Sequence, residues 1–386
     1  MKRNFFKGTA IAAIALAGFT VTAQEEESKG IELTGSVDAY FRANLNGKNG
    51  NGASAPATSF ANGDGFALGM VNLIASKQLG KVGFVADLVY GPRGADAVFN
   101  STGSSNIINQ LYVTYAASDA VTFTLGNFNT FLGYEVISPT GNFNYSTSYM
   151  FSYGPFSHTG LKADFAIDDN WSLMASVMNA TDFTEANQAG KYTGGLQLGY
   201  SNDTGSAYLN VLYGNQGDVS SINNSIEVDR DESGTITNSI KTGNTFQVDL
   251  TTGWDVSEEF YLGVNATYNT TSFENLTEGA KDPDNSGFYG VALYPQYAIS
   301  EAFTLGLRGE YFAEFEGGVG ALTLDKKAEG SVFATTLTGS FTSGALTIKP
   351  EFRIDSSDNN EDTFADFNGK SQKSLASFML GAIYSF

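Results

Sequence analysis

The sequence predicts an all-β fold: a transmembrane, antiparallel, up-and-down β-barrel of about 16 strands, with short turns on one side of the membrane and long loops on the other. Three observations carry this. Apolar and polar side chains alternate with a period of two over segments as long as a barrel strand, about 9–11 residues or more. The connections between these segments alternate long and short, and the N-terminus carries an export leader.

The leader comes first. Lys2, Arg3 and Lys7 form a positive n-region, and an apolar run from Ala10 to Phe19 follows. Val21-Thr22-Ala23 then supplies the small residues that signal peptidase takes at its −3 and −1 positions. The apolar run is too short to span a bilayer as a helix, which takes about 20 residues. Residues 1–23 are therefore expected to be a cleaved signal peptide, 24–30 a short acidic segment, and 31–386 the barrel.

The strands follow from their phase. In residues 31–45 every odd position is apolar or glycine, while the even ones are Glu32, Thr34, Ser36, Asp38, Tyr40, Arg42 and Asn44. Successive strand side chains point to opposite faces, so one face is apolar and the other polar. Residues 346–355 and 303–315 repeat the division. The expected strands are 31–45, 65–79, 82–91, 107–118, 121–128, 159–167, 171–180, 192–201, 206–214, 245–255, 259–272, 287–299, 301–315, 331–341, 345–355 and 375–386, with the faces of 65–79 unassigned. Between them long loops such as 46–64, 92–106 and 129–158 alternate with turns such as 80–81, 119–120 and 168–170. A soluble sandwich has no reason to sort its connections by parity, whereas outer-membrane barrels do.

Aromatic residues agree. Outward pairs eight residues apart recur at Tyr192/Tyr200, Phe246/Trp254, Phe260/Tyr268, Tyr289/Tyr297, Phe303/Tyr311, Phe333/Phe341 and Phe378/Phe386. At a tilt near 40° this spacing covers roughly 20 Å of membrane normal, close to the apolar band that aromatic girdles flank. The chain ends on Gly381, Tyr384 and Phe386, a pattern that looks like the terminal strand read by the outer-membrane barrel assembly machinery, although Met379 stands where a polar residue is usual.

Composition excludes other classes. With 41 Asp+Glu against 21 Lys+Arg, the chain is no nucleic-acid binder, which needs a basic surface to displace counter-ions. Without cysteine there is no disulfide framework and no thiolate metal site, and a single histidine, His158, excludes mechanisms needing two imidazoles.

Several stretches resemble the β-barrel porin-2, OmpL-like family of outer-membrane proteins. They are Gly35-Ser-Val-Asp-Ala-Tyr40, Phe84-Val-Ala-Asp-Leu-Val-Tyr-Gly91 and the block from Gln110 to Asp164. That block holds Thr124-Leu-Gly-Asn-Phe128, Gly133-Tyr-Glu135, Ser146-Thr-Ser-Tyr149 and Pro155-Phe-Ser-His-Thr-Gly160. The resemblance is clearest over 31–200 and implies passive or weakly selective transport of small solutes and ions, with no catalytic residues to carry over.

A barrel of this size leaves an aqueous lumen. Strand phase turns Asp38, Arg42, Asp87, Lys162, Asp164, Asp249, Arg308, Glu310, Lys349, Glu351 and Arg353 inward, together with Glu32, Glu314 and Asp355. Acids outnumber bases in this set, which favours a mild cation preference. The same charges could instead pair into ladders that keep the wall wet. The third long loop, 129–158, is rich in Phe and Tyr and should be buried against something, so it is expected to fold inward as a constriction with Glu135 at the eyelet. Asp229, Asp231 and Ser233, and again Asp282, Asp284 and Ser286, have the spacing with which calcium loops begin, but Ile240 and Leu293 stand where the closing Glu belongs. His158 has no Gly-x-Ser-x-Gly partner, so no enzyme is expected.

The expectation is a diffusion porin of the bacterial outer membrane. Its partners would be membrane lipid and lipopolysaccharide, the assembly machinery through Phe386, and a second copy of the chain in a homo-oligomer. The alternative is a plugged barrel serving as a surface platform for adhesion or assembly.

Overall fold

Sixteen antiparallel strands close on themselves. They are β1 (Glu32–Asn44), β2 (Gly65–Leu79), β3 (Val82–Tyr90), β4 (Ile108–Ser118), β5 (Val121–Asn129), β6 (Ser157–Ala166), β7 (Trp171–Met178) and β8 (Thr193–Asn202). The second half comprises β9 (Gly205–Gly214), β10 (Ile236–Asp255), β11 (Phe260–Asn275), β12 (Ser286–Ser300), β13 (Phe303–Phe315), β14 (Gly330–Ser343), β15 (Leu346–Ser357) and β16 (Ser374–Ser385). The computed structural model describes residues 30–48, 56–187, 190–216, 227–230, 236–322, 324–325, 327–358 and 363–386. The expected signal peptide and residues 24–29 lie outside them.

Each strand pairs with its sequence neighbours, and β1 pairs with β16 to seal the wall. The C-terminal residue takes part in that seam: Phe386 and Gly35 exchange N–H···O bonds of 2.9 and 3.0 Å. The Phe386 ring covers Gly35, where any Cβ would collide with it and with the Asn72 carbonyl. Turns of two to four residues join the strands on one side and loops of 10 to 27 residues on the other, so the parity read in the sequence is the parity of the barrel. Outward rings sit side by side across strand pairs, Tyr268 opposite Tyr289 and Tyr311 opposite Phe333 towards the loops, Phe260 opposite Tyr297 and Phe303 opposite Phe341 towards the turns. These are the two girdles.

Two elements differ from expectation. β2 could not be assigned a face because its phase changes midway. Gly69 and Met70 together oppose Asp38, a bulge that puts Phe66 and Leu68 outside before it and Val71 outside after it. The Met70 N–H donates to Asp38 Oδ1 at 3.0 Å, which fixes the bulge to an inward carboxylate. β10 begins nine residues earlier than expected, and its projecting end pairs with a short strand, Glu227–Arg230. That end reads Ile236-Thr-Asn-Ser-Ile-Lys-Thr, too polar on both faces to show membrane phase.

Candidate functional site

Residues 130–156, between β5 and β6, turn into the barrel instead of out from it. About half of the segment's residues are buried and only Thr140 is exposed; Phe131 and Leu132 pack on β4, β7, β8 and β9, and the rest settles against the inner wall made by β1 and β10–β16. A chain without regular structure carries unpaired N–H and C=O groups into a place where water is largely displaced, and each must find a partner. The partners are the inward charges of the wall.

The acids receive N–H groups. Asp249 accepts from Gly133 N at 2.9 Å, and Glu351 accepts from Tyr145 N at 2.9 Å and Ser146 N at 3.2 Å. Glu310 accepts from Tyr149 N and Met150 N at 2.9 and 2.8 Å. These are the first two residues of a short helix, α1 (Tyr149–Tyr153), whose third N–H goes to its own N-cap, Ser148 Oγ, at 3.1 Å. The first-turn donors that a helix leaves unpaired are thus accounted for. Asp38 accepts the Tyr145 hydroxyl.

The bases take the carbonyls. Arg308 donates to Ser146 O at 2.7 Å and Arg353 to Thr147 O at 2.7 Å, while Lys349 donates to Pro139 O at 3.0 Å and to Asn142 O. Arg308 also meets Glu135 of the segment at 2.7 Å, with both side chains buried, and Glu135 in turn accepts Ser148 N at 2.7 Å. Arg353 pairs with Asp355 on its own strand at 2.7 Å. Apart from the Arg353–Asp355 pair, the charges of β13 and β15 therefore bond to the loop and do not pair into ladders along the wall.

Glycines provide the seats. Gly263, Gly290, Gly306 and Gly381 face inward, and a Cβ on each would strike Tyr134, Met150, Phe143 and Tyr145 respectively. Tyr134 stacks on Tyr294 with ring centroids 4.1 Å apart, and Tyr149 and Met150 join Phe288, Phe312, Val332 and Ala334 in one apolar cluster. The inner wall is apolar where the loop's rings meet it.

Neighbouring loops lock the segment from above. Arg93, in the loop after β3, donates to Ile137 O at 2.8 Å and Tyr145 O at 3.3 Å, with Phe60 under its guanidinium. Phe60 packs with Phe151 and Phe156, and Ser59 N donates to Ser152 Oγ at 2.8 Å. Asp182, in the loop after β7, accepts Phe156 N and Ser157 N at 2.8 Å each. Asp182 keeps some surface at the rim, but its carboxylate is sunk, and burial pushes its pKa up to about 6 against the pull of those two N–H groups. Arg93, Phe60 and Asp182 were not singled out by sequence reading, because nothing local ties them to residues so far along the chain. The inward-phase glycines were a readable signal.

The remaining expected residues fall elsewhere. Asp87 is held by Asn109 at 2.7 Å, Gln110 at 3.0 Å and Asn72. Arg42 donates to Ala61 O of the first loop at 3.4 Å and to Asn44. Lys162 and Asp164, on β6, pair with each other at 3.1 Å, and their side chains keep 22% and 16% exposure. Glu314 holds the loop after β13 through Val319 N, Ala321 N and Leu322 N. Asp282 and Asp284 are exposed; Asp282 accepts Asn275 N at 2.8 Å, Asp284 lies 3.6 Å from Lys281, and Ser286 opens β12. Asp231 and Ser233 lie outside the described residues, as does the Asp229 side chain. Among the described residues no group of three or more His, Cys, Asp or Glu side chains could hold a metal. His158 is buried between Phe128 and Phe131, with Nε2 2.9 Å from Thr130 Oγ1.

A closed 16-stranded barrel with two aromatic girdles and a polar inner wall defines an outer-membrane channel. The chain belongs to the family described as "Putative beta-barrel porin-2, OmpL-like", which matches residues 30–386. No curated protein matches it in sequence. Among solved structures it is similar to the outer membrane channel DcaP of Acinetobacter baumannii, at 17% identity and a TM-score of 0.54, covering 92% of this chain and 97% of that one. It is also similar to OprB of Pseudomonas putida at high pH, with 13% identity, a TM-score of 0.55, and coverage of 92% and 94%. The trimer form of OmpT of Vibrio cholerae matches at 10% identity and a TM-score of 0.57, with coverage of 93% and 100%. At these identities the likeness is one of fold. The family and the fold together make this an outer-membrane channel for small solutes.

Proposed function

We propose that the channel is a passive diffusion pore for small hydrophilic solutes and ions, with residues 130–156 as its constriction and a mild preference for cations. The observation that supports this reading is the seating of that segment inside the barrel by its own backbone on inward charges. A constriction must resist the flow it restricts, and bonds of this kind are held at both ends by protein. The cation preference is supported by the acidic excess of the chain and by exposed carboxylates such as Asp282 and Asp284 on the loop side. The test is single-channel conductance of the refolded mature protein in a planar bilayer, with asymmetric salt. Steady open steps and a reversal potential on the cation side are expected, and deletion of 141–153 should raise the step size. A folded barrel with no steps overturns the reading in favour of a surface platform.

Several expectations are carried as proposals alongside it: cleavage after Ala23, self-association in the membrane, and use of Phe386 by the assembly machinery. Calcium in the two acidic loops is another, which calorimetry showing no heat at millimolar calcium would end.

A further inference from the structure

The inward charges divide into two kinds, and the division locates the passage. Asp38, Arg42, Asp87, Asp249, Arg308, Glu310, Lys349, Glu351, Arg353 and Asp355 are all buried in bonds to loops, amides or one another. An ion in the lumen meets them only through the protein that covers them. Glu32 stands at the turn-side edge of β1. Within the wall, Lys162 and Asp164 alone among the inward charges predicted from strand phase keep a solvent-facing side chain.

Register places this pair on the same pairing row as the root of the constriction. Asp164 lies opposite Met174, Met174 opposite Gln197, Gln197 opposite Asn210, and Asn210 opposite Asp249. Asp249 anchors Gly133, where the inward segment begins. Phe131 crosses the same row, its carbonyl accepting Gln197 Nε2 at 3.3 Å. Beyond Leu132 the segment leans on β1 and β10–β16, away from β6, where Lys162 keeps a part-exposed side chain and lies 5.5 Å from the Phe128 ring.

We propose that Lys162 and Asp164 set the charge selectivity of the channel, and that the larger set of buried inward charges serves to hold the loop. This rests on the diffusion-pore reading. The pair is close to neutral as it stands, so passage is governed by whichever partner is left when the other is removed. One uncompensated charge at about 8 Å from an ion in water, screened by physiological salt, changes the cation-to-anion permeability ratio about two-fold.

The experiment compares reversal potentials in asymmetric potassium chloride for the wild type, Lys162→Gln, Asp164→Asn and the double variant. Lys162→Gln is expected to raise the cation-to-anion ratio about two-fold, Asp164→Asn to lower it by a similar factor, and the double variant to return near the wild-type value. Both residues are partly exposed, so the variants should fold, and open steps of near wild-type size confirm it. Open steps with unmoved ratios in both single variants overturn this inference and leave the pore reading standing. No open steps in the wild type overturn both.

Discussion

Replacing Arg308 with Met should unseat the inward loop. The guanidinium makes four contacts: Glu135 Oε1 and Ser146 O at 2.7 Å, and Ser146 Oγ and Thr336 Oγ1 at 3.1 Å. Met fills much of the volume but leaves Glu135 with only the Ser148 N–H as a charge-matched partner in a buried site. Breaking a buried pair by removing one member costs about 3–5 kcal/mol, because the other charge stays uncompensated. At about 1.4 kcal/mol per decade, that is a shift of roughly two to three and a half decades in the balance between seated and unseated loop. The loop is rich in chymotrypsin sites, including Phe143, Tyr145 and Tyr149, all buried or half-buried in the wild type. Limited chymotrypsin digestion of the refolded barrel in detergent should therefore leave the wild type intact and nick Arg308→Met within 141–153. Channel recordings should show larger, noisier steps for the variant. Adding Glu135→Gln should recover part of the loss, since the orphaned charge is gone. A variant as protease-resistant as the wild type, with unchanged conductance, would refute the idea that wall charges hold the loop.

Two further outcomes follow from the same geometry. Gly306→Val places a branched side chain where Phe143 lies, and overpacking of this kind costs about 1–3 kcal/mol, so chymotrypsin sensitivity should rise while barrel content by circular dichroism does not change. At the loop's exit, Asp182 has a folded pKa of about 6 against about 3.9 unfolded, so the folded form binds the proton more tightly. Its contribution to stability is complete below the unfolded value and is lost as pH rises through 6. Amide exchange protection at 154–158 should accordingly weaken between about pH 4 and 6 in the wild type, after correction for intrinsic exchange, and show no such step in Asp182→Asn; an identical pH profile in both would remove Asp182 from the account.

The wall was legible in the sequence and the loop's docking was not, for reasons of locality. A strand states its phase within a few residues, since lipid demands one face and water tolerates the other. Residues 303–315 declare themselves without reference to anything distant. β2 failed only at the bulge, where one extra residue exchanges the faces and a period-two reading loses count. The charges illustrate the limit most directly. Phase and sign for Glu310, Glu351 and Arg308 were readable, but whether each faces water or a backbone group depends on Tyr149, Tyr145 and Ser146, which lie 161 to 206 residues away. Glu135, expected as the charge at the eyelet, is bonded to Arg308 and to Ser148 N. A count of inward acids and bases therefore describes the chemistry available to the lumen and says little of what a passing ion meets.

The sorting of those charges has its own logic. A loop laid against a dry wall offers N–H groups on one stretch and carbonyls on the next, and neither neutral amides nor water is placed to serve every one. A carboxylate accepts two neighbouring N–H groups at once, as Glu310 does at the start of α1 and Glu351 does at Tyr145 and Ser146. A guanidinium or ammonium reaches a carbonyl with donors to spare, as Arg353 and Lys349 do. Such charge-assisted bonds are about twice as strong as neutral ones. Placing acids and bases together along β13 and β15 thus matches the alternating polarity of the backbone they hold, and on these two strands Arg308, Lys349 and Arg353 nearly balance Glu310, Glu314, Glu351 and Asp355. The field in the open part of the lumen is then left to few groups, and a change at one of them can alter selectivity without loosening the loop.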